Sequence, residues 1–188
     1  MRIKHLKEKM ITPFQALVSY YFIAIAVSFG LLMLPWVHKE GIEVSVLDTL
    51  FTAVSAVSVT GLTTINIAES FTTFGHIMIL IILQFGANGI MSVGTFVWLI
   101  VGKRIGVKER QLLMIDNNQN NLSGVVNLIR EIVKILLLIE LIGAILLSIH
   151  FKRYFETWEE SIFNGIFTSI SATTNGGFDI TGASLQPF

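Results

Sequence analysis

From Phe14 to Val37 the chain runs 24 residues without a charged side chain or a histidine. As a helix that run is roughly 36 Å long, enough to cross a hydrocarbon core of about 30 Å with some tilt. It is too long for the apolar part of a signal peptide, and no small-residue cleavage site follows Leu34-Pro35-Trp36. A second run, Ser70 to Gly102, is 33 residues long with His76 as its one titratable member. A third extends from about Leu122 to Ile149, broken by Arg130, Glu131, Lys134 and Glu140, so its first turns are expected at an interface. The fold class expected is an all-α membrane protein.

Composition agrees. Residues are 53% hydrophobic and 14% charged, against about a quarter charged in a soluble domain, and mean hydropathy is +0.71. Thirteen basic side chains balance thirteen acidic ones, which argues against nucleic acid as a partner. With no cysteine, disulfide frameworks, thiol nucleophiles and thiolate metal sites are excluded.

Basic residues set the orientation. Arg2, Lys4, Lys7 and Lys9 precede the first span; Lys103, Arg104, Lys108 and Arg110 follow the second; Arg130 and Lys134 begin the third. The N terminus and the Gly102–Ser123 connection are therefore expected in the cytoplasm of a multi-pass plasma-membrane protein. The opposite side holds Glu40, Glu43, Asp48, Glu69, Glu156, Glu159, Glu160 and Asp179 against Lys39, Lys152 and Arg153. An acidic outer face concentrates cations.

Between the first two spans, Ser45–Val57 is apolar but too short to cross, and Ser45-x-x-Asp48 is a helix-start pattern. Because the flanking spans run in opposite directions, this segment must enter and leave by the outer face. A short helix, an irregular stretch and a long return helix make a re-entrant pore loop, tolerated where backbone lines a watery cavity. The pattern recurs 116 residues later. Leu50-Phe51-Thr52-Ala53-Val54-Ser55-Ala56 lies over Ile166-Phe167-Thr168-Ser169-Ile170-Ser171-Ala172, and Ser58-Val59-Thr60-Gly61-Leu62 over Thr174-Asn175-Gly176-Gly177-Phe178. The second short helix has its own start signal, Thr157-x-x-Glu160. An internal repeat of helix–pore-helix–helix units is the better account, one complete and about two-thirds of a second. The expected division is a cytoplasmic segment 1–12, a first repeat 13–102, a cytoplasmic loop 103–124 and a second repeat 125–188 without its return helix.

A helix entering from outside aims its partly negative carbonyl end at the membrane centre, which favours a cation. Val59-Thr60-Gly61 supplies no acid or imidazole, so the ligands left are backbone carbonyls, as in potassium-selective filters. Glycine at 61 or 177 lets the backbone turn. The candidate potassium-binding residues are Ser58, Val59, Thr60 and Gly61 with Thr174, Asn175, Gly176 and Gly177.

At these residues the sequence resembles the membrane subunit of the Trk/Ktr/HKT potassium transporters, most closely the bacterial Ktr type. The likeness is carried by Leu47-Asp48-Thr49-Leu50-Phe51-Thr52-Ala53, Val59-Thr60-Gly61-Leu62, Gln84-Phe85-Gly86-Ala87-Asn88-Gly89, the stretch from Gly102 to Arg110, Ile139-Glu140-Leu141-Ile142, and Asn175-Gly176-Gly177-Phe178. The resemblance implies four such repeats around one pore, a dimer of membrane subunits, and a cytosolic nucleotide-binding ring. Lys103, Arg104, Lys108 and Arg110 are the candidate contacts to that ring. It further implies potassium as the transported ion, with no cofactor, and this chain as the N-terminal part of a longer subunit.

Other residues have structural readings. His5, His38, His76 and His150 sit near span ends without metal-ligand spacing. Glu140, inside a span, is expected to pair with Lys134, Arg130 or a helix end. Gly86, Gly89 and Gly94 read as close-packing positions between helices. No nucleophile or acid–base arrangement supports an enzyme; a non-conducting scaffold is the alternative.

Overall fold

The computed structural model describes residues 13–87, 89, 92, 105–116, 118, 119 and 124–182. Among these every regular element is helical: α1 (Pro13–Leu32), a 3₁₀ turn (Pro35–Val37), α2 (Val46–Ser58), α3 (Ile67–Ser70), α4 (Thr73–Ala87), α5 (Val107–Asp116), α6 (Val125–Phe151) and α7 (Trp158–Thr173). Gln15–Leu32 and Val125–Phe151 are long and apolar enough to cross a membrane. The second apolar run is helical from Thr73 to Ala87; beyond that, apart from positions 89 and 92, it lies outside the described residues, as do segments 1–12 and 183–188.

The two short helices start where their caps dictate. The Ser45 hydroxyl accepts the Asp48 amide at 3.1 Å and donates to Asp48 Oδ2 at 2.6 Å. Thr157 accepts the Glu160 amide at 3.2 Å. Each cap satisfies an amide that the helix itself leaves orphaned.

The chain ahead of α2 is clamped to the chain ahead of α4. The Lys39 amide donates to the Ser70 carbonyl at 3.1 Å and the Thr72 amide to Val37 at 2.9 Å, flanking an isolated bridge between His38 and Phe71. Gly75 lies against this seam, since a Cβ there would stand 2.5 Å from the Val37 carbonyl oxygen. The clamp closes α1, α2 and α4 into one unit.

One core joins that unit to α7. Leu32, Ala53, Ala56, Ile79 and Leu83 pack with Phe167 and Phe178. Phe167 is fully enclosed, with His76 edge-on at 6.0 Å between ring centroids, and burying a phenyl ring stabilises by about 2–3 kcal/mol. Small residues bring α6 and α7 together: Gly143 faces Ser169, and Gly165 faces Ser148. The outer side of α6 (Ile135, Leu138, Leu141, Ile142, Leu146, Ile149) stays exposed, as a lipid-facing surface requires.

The connection expected as a plain loop at 103–124 carries a helix, α5. Its apolar run Leu112–Ile115 supplies the reason. Leu113 is fully buried against Val125, Ile129 and Val133 of α6.

Candidate functional site

Both short helices end in the same backbone motif. After α2, the Val59 amide donates to the Ala56 carbonyl at 3.4 Å and the Thr60 amide to Ser55 at 3.0 Å. After α7, the Asn175 amide donates to Ala172 at 3.1 Å and the Gly176 amide to Ser171 at 2.6 Å. These are the paired bonds of a Schellman ending, which requires a left-handed residue. Val59 takes that conformation at φ 55° and Asn175 at φ 58°. Two residues on, the chain turns left-handed again, at Gly61 (φ 71°) and Gly177 (φ 68°). The two turns superpose in sign and position at the 116-residue offset.

They also meet. A Cβ on Gly61 would lie 2.7 Å from the Gly176 carbonyl oxygen and 3.0 Å from Gly177 Cα. The sites that the sequence placed on two separate segments are therefore side by side. Ser58 closes α2 with its hydroxyl on the Val54 carbonyl (2.6 Å), and Thr174 does the same to Ile170 (2.7 Å). Thr60 and Asn175 are exposed, and Thr174 and Gly176 buried. Nothing among the described residues brings three or more histidine or acidic side chains together for a metal; the two turns themselves carry main-chain carbonyls and the hydroxyls of Ser58, Thr60 and Thr174.

α4 is the strut behind both turns. Gly86 abuts the end of α2, where a Cβ would stand 2.5 Å from the Val57 carbonyl oxygen and 2.8 Å from that of Ala56. Leu83 covers Gly176, and a Cβ there would reach Leu83 Cδ2 at 2.8 Å. At Gly89 (φ 74°) a Cβ would run into the Asp116 carboxylate; Gly94 lies outside the described residues.

Glu140 corrects the sequence reading. Lys134 pairs with Glu131 at 2.9 Å, on the surface, and the buried Glu140 instead accepts a 2.6 Å hydrogen bond from Gln84 Nε2 of α4. Its backbone carbonyl accepts the Ser169 hydroxyl at 2.7 Å. One residue of α6 thus ties α4 to α7. His76, in the first turn of α4, is buried, its Nε2 in contact with the Ile67 carbonyl at 3.1 Å.

At the start of α2, Asp48 Oδ1 accepts from the Thr64 hydroxyl at 2.6 Å, so its two carboxylate oxygens hold both flanks of that helix end. The Ser45 hydroxyl first, and that of Thr64 next, keep the carboxyl below the usual carboxylate range. Among the candidate cytosolic contacts, Lys108 is in the first turn of α5 and Arg110 is exposed on it; Lys103 and Arg104 lie outside the described residues.

Residues 3–188 match the family model for TrkH, described as a cation transport protein. The chain is 50% identical over 189 residues to the Ktr system potassium uptake protein D of Bacillus subtilis, covering all of this chain and 42% of that protein. It is 37% identical over 177 residues to the potassium/sodium uptake protein NtpJ of Enterococcus hirae, covering 94% of this chain and 39% of the relative. It is also 36% identical over 185 residues to the Ktr system potassium uptake protein B of Bacillus subtilis, covering 98% and 41%. The chain spans about two fifths of the length of these relatives.

Proposed function

The chain belongs to the TrkH family of cation transport proteins, a family of transporters and not enzymes, and on that premise we propose that it forms the first part of a potassium uptake pore. The 58–61 and 174–177 turns are two adjacent segments of its selectivity filter. The observation that carries this reading is the matched pair of left-handed turns at residues 59–61 and 175–177, in backbone contact at Gly61 and Gly177. Dehydrating a potassium ion needs several carbonyl oxygens held at fixed spacing. Two Schellman endings braced by one helix meet that need, and each places the partly negative end of a short helix beside the turn.

A common stripe on the two short helices supports a repeated, rotational arrangement. Phe163, Phe167 and Ile170 of α7 face the first unit, with Phe163 and Phe167 both in ring contact with His76 of α4. The equivalent residues of α2, Leu47, Phe51 and Val54, are 76%, 41% and 39% exposed. They offer the same surface to a further return helix. This supports helix–pore-helix–helix units around one axis in a multi-pass plasma-membrane protein with a cytoplasmic N terminus. α5, with Lys108 and Arg110, then faces the cytosol and contributes, with Lys103 and Arg104, to the seat of a nucleotide-binding ring under a homodimer. The names of the relatives favour potassium as the ion, with sodium as a second cation in one of them.

The test is uptake in a potassium-uptake-deficient strain by a product extended to the relatives' length. Gly61→Ser and Gly177→Ser should each admit sodium in competition with potassium. Unchanged discrimination in both variants, at normal membrane amounts, sinks the filter reading and favours a non-conducting scaffold.

A further inference from the structure

We propose that the Ser171 hydroxyl is a positioning group for ion selection, anchoring the second turn where the first is anchored by Thr60; this rests on reading 174–177 as filter. In the first turn, Thr60 Oγ1 donates to Ser55 Oγ at 3.0 Å, with the Ser55 carbonyl oxygen at 3.5 Å. The hydroxyl thus staples the turn to the last coil of α2. At the equivalent place the second turn has Gly176, which carries no hydroxyl.

Packing explains why. A Cβ on Gly176 would stand 2.8 Å from Leu83 Cδ2, 3.2 Å from Leu83 Cδ1 and 3.1 Å from Thr174 Oγ1. Leu83 is fully buried in the core shared by α4 and α7, so a Cβ at 176 would require that packed side chain to shift. This packing therefore disfavours a threonine at 176, and with it the staple used in the first turn.

Ser171 supplies a different one. Neighbouring helical hydroxyls bond back to the carbonyl four residues earlier, as Thr173 does to Ser169 (2.7 Å) and Thr174 to Ile170 (2.7 Å). Ser171 instead reaches forward and donates to the Phe178 carbonyl at 2.8 Å. The bond closes residues 171–178 into a ring with Asn175, Gly176 and Gly177 inside it. Ser171 is 3% exposed, so water does not replace its hydroxyl readily. The bond occupies one lone pair of the Phe178 carbonyl and so fixes the orientation of the peptide unit that follows Phe178.

The experiment measures KM and maximal rate for potassium uptake, and sodium competition, in the relatives'-length product. Ser171→Ala should raise the potassium KM about fivefold, the scale of one lost buried hydrogen bond, and weaken discrimination against sodium while the maximal rate is kept. Ser171→Cys, with a weak donor of similar size, should fall between, and Ser171→Thr should restore the parent KM. Thr173→Ala should stay within about twofold, because its hydroxyl only bonds back to the Ser169 carbonyl within α7 and does not reach the turn. Parent KM and selectivity in Ser171→Ala overturn the proposal. Equal losses in Ser171→Ala and Thr173→Ala, with Ser171→Thr failing to rescue, overturn it too and leave only a packing role. Gly177→Ser separates the two readings. If it alters selectivity while Ser171→Ala does not, the anchor is wrong and the filter stands; if neither alters it and Gly61→Ser does not either, the filter itself is wrong.

Discussion

Gly61 and Gly177 touch through their backbones: a Cβ on the first would lie 3.0 Å from Cα of the second, and a Cβ on the second 3.1 Å from Cα of the first. The contact is not symmetrical beyond that. A Cβ on Gly61 would also lie 2.7 Å from the Gly176 carbonyl oxygen, whereas the next atom to a Cβ on Gly177 is the Gly61 carbonyl oxygen at 3.8 Å. Both glycines are left-handed, so alanine is strained at either by about 1–2 kcal/mol. Gly61→Ala adds a backbone collision and should be the more destabilising by at least about 1 kcal/mol. Thermal unfolding in detergent would measure it, and equal losses would contradict the geometry.

Val59 occupies a conformation that its branched side chain resists, while Asn175 fills the equivalent place with a residue that tolerates it. Val59→Asn should therefore stabilise the protein by about 1 kcal/mol, and Asn175→Val should cost a similar amount. A denaturation series on the two variants checks the signs. Opposite signs would mean that side-chain packing outweighs backbone strain at these turns.

Glu140 and Gln84 form the polar link between α6 and α4. Glu140→Gln keeps a hydrogen-bonding partner for Gln84 and should be nearly neutral. Gln84→Leu removes a donor from a buried acidic group and should cost about 2 kcal/mol. A double-mutant cycle with Glu140→Leu would give the coupling directly, and additive losses would show that the pair does not interact.

Asp48 gives a pH signature. Its carboxyl is held below the ordinary range by Ser45 and Thr64, so the folded state favours the ionised form. That contribution is complete above the unfolded carboxylate value of about 4 and is lost as pH falls through the lower folded one. The stability difference between the parent protein and Asp48→Asn should be flat at neutral pH and shrink below about pH 4. A difference that grows on acidification would refute the assignment.

What could be read from sequence was local. Ser45, Thr157, Gly61 and Gly177 announced themselves because a cap or a left-handed turn restricts the residue type at its own position. Val59 could not be read that way: a valine argues against the conformation it adopts, and only the Schellman bonds around it hold it there. The partner of Glu140 lies 56 residues away in the chain, beyond any helical spacing, so the nearer Lys134 looked like the better match. The α5 helix was obscured because Lys108 and Arg110 gave the segment the character of a positive cytoplasmic loop, while its four-residue apolar run is too brief to reveal a period. The repeat alone shows that the two turns match, and the resemblance implies that they share one pore; the backbone contact between Gly61 and Gly177 needed three-dimensional packing.

The shelf that α4 presents to α7 also has a history in time. Leu83 leaves the ribosome well before Gly176, which must slide beneath it, and Gln84 before Glu140. At about 5–20 residues per second, the shelf waits on the order of 5–20 s for its lodger. During that interval the His76–Leu83 side of α4 can be covered only by lipid or by insertion machinery. The first unit thus acts as a template on which the second is cast, and a defect at Leu83 or Gly86 is inherited by a turn not yet made.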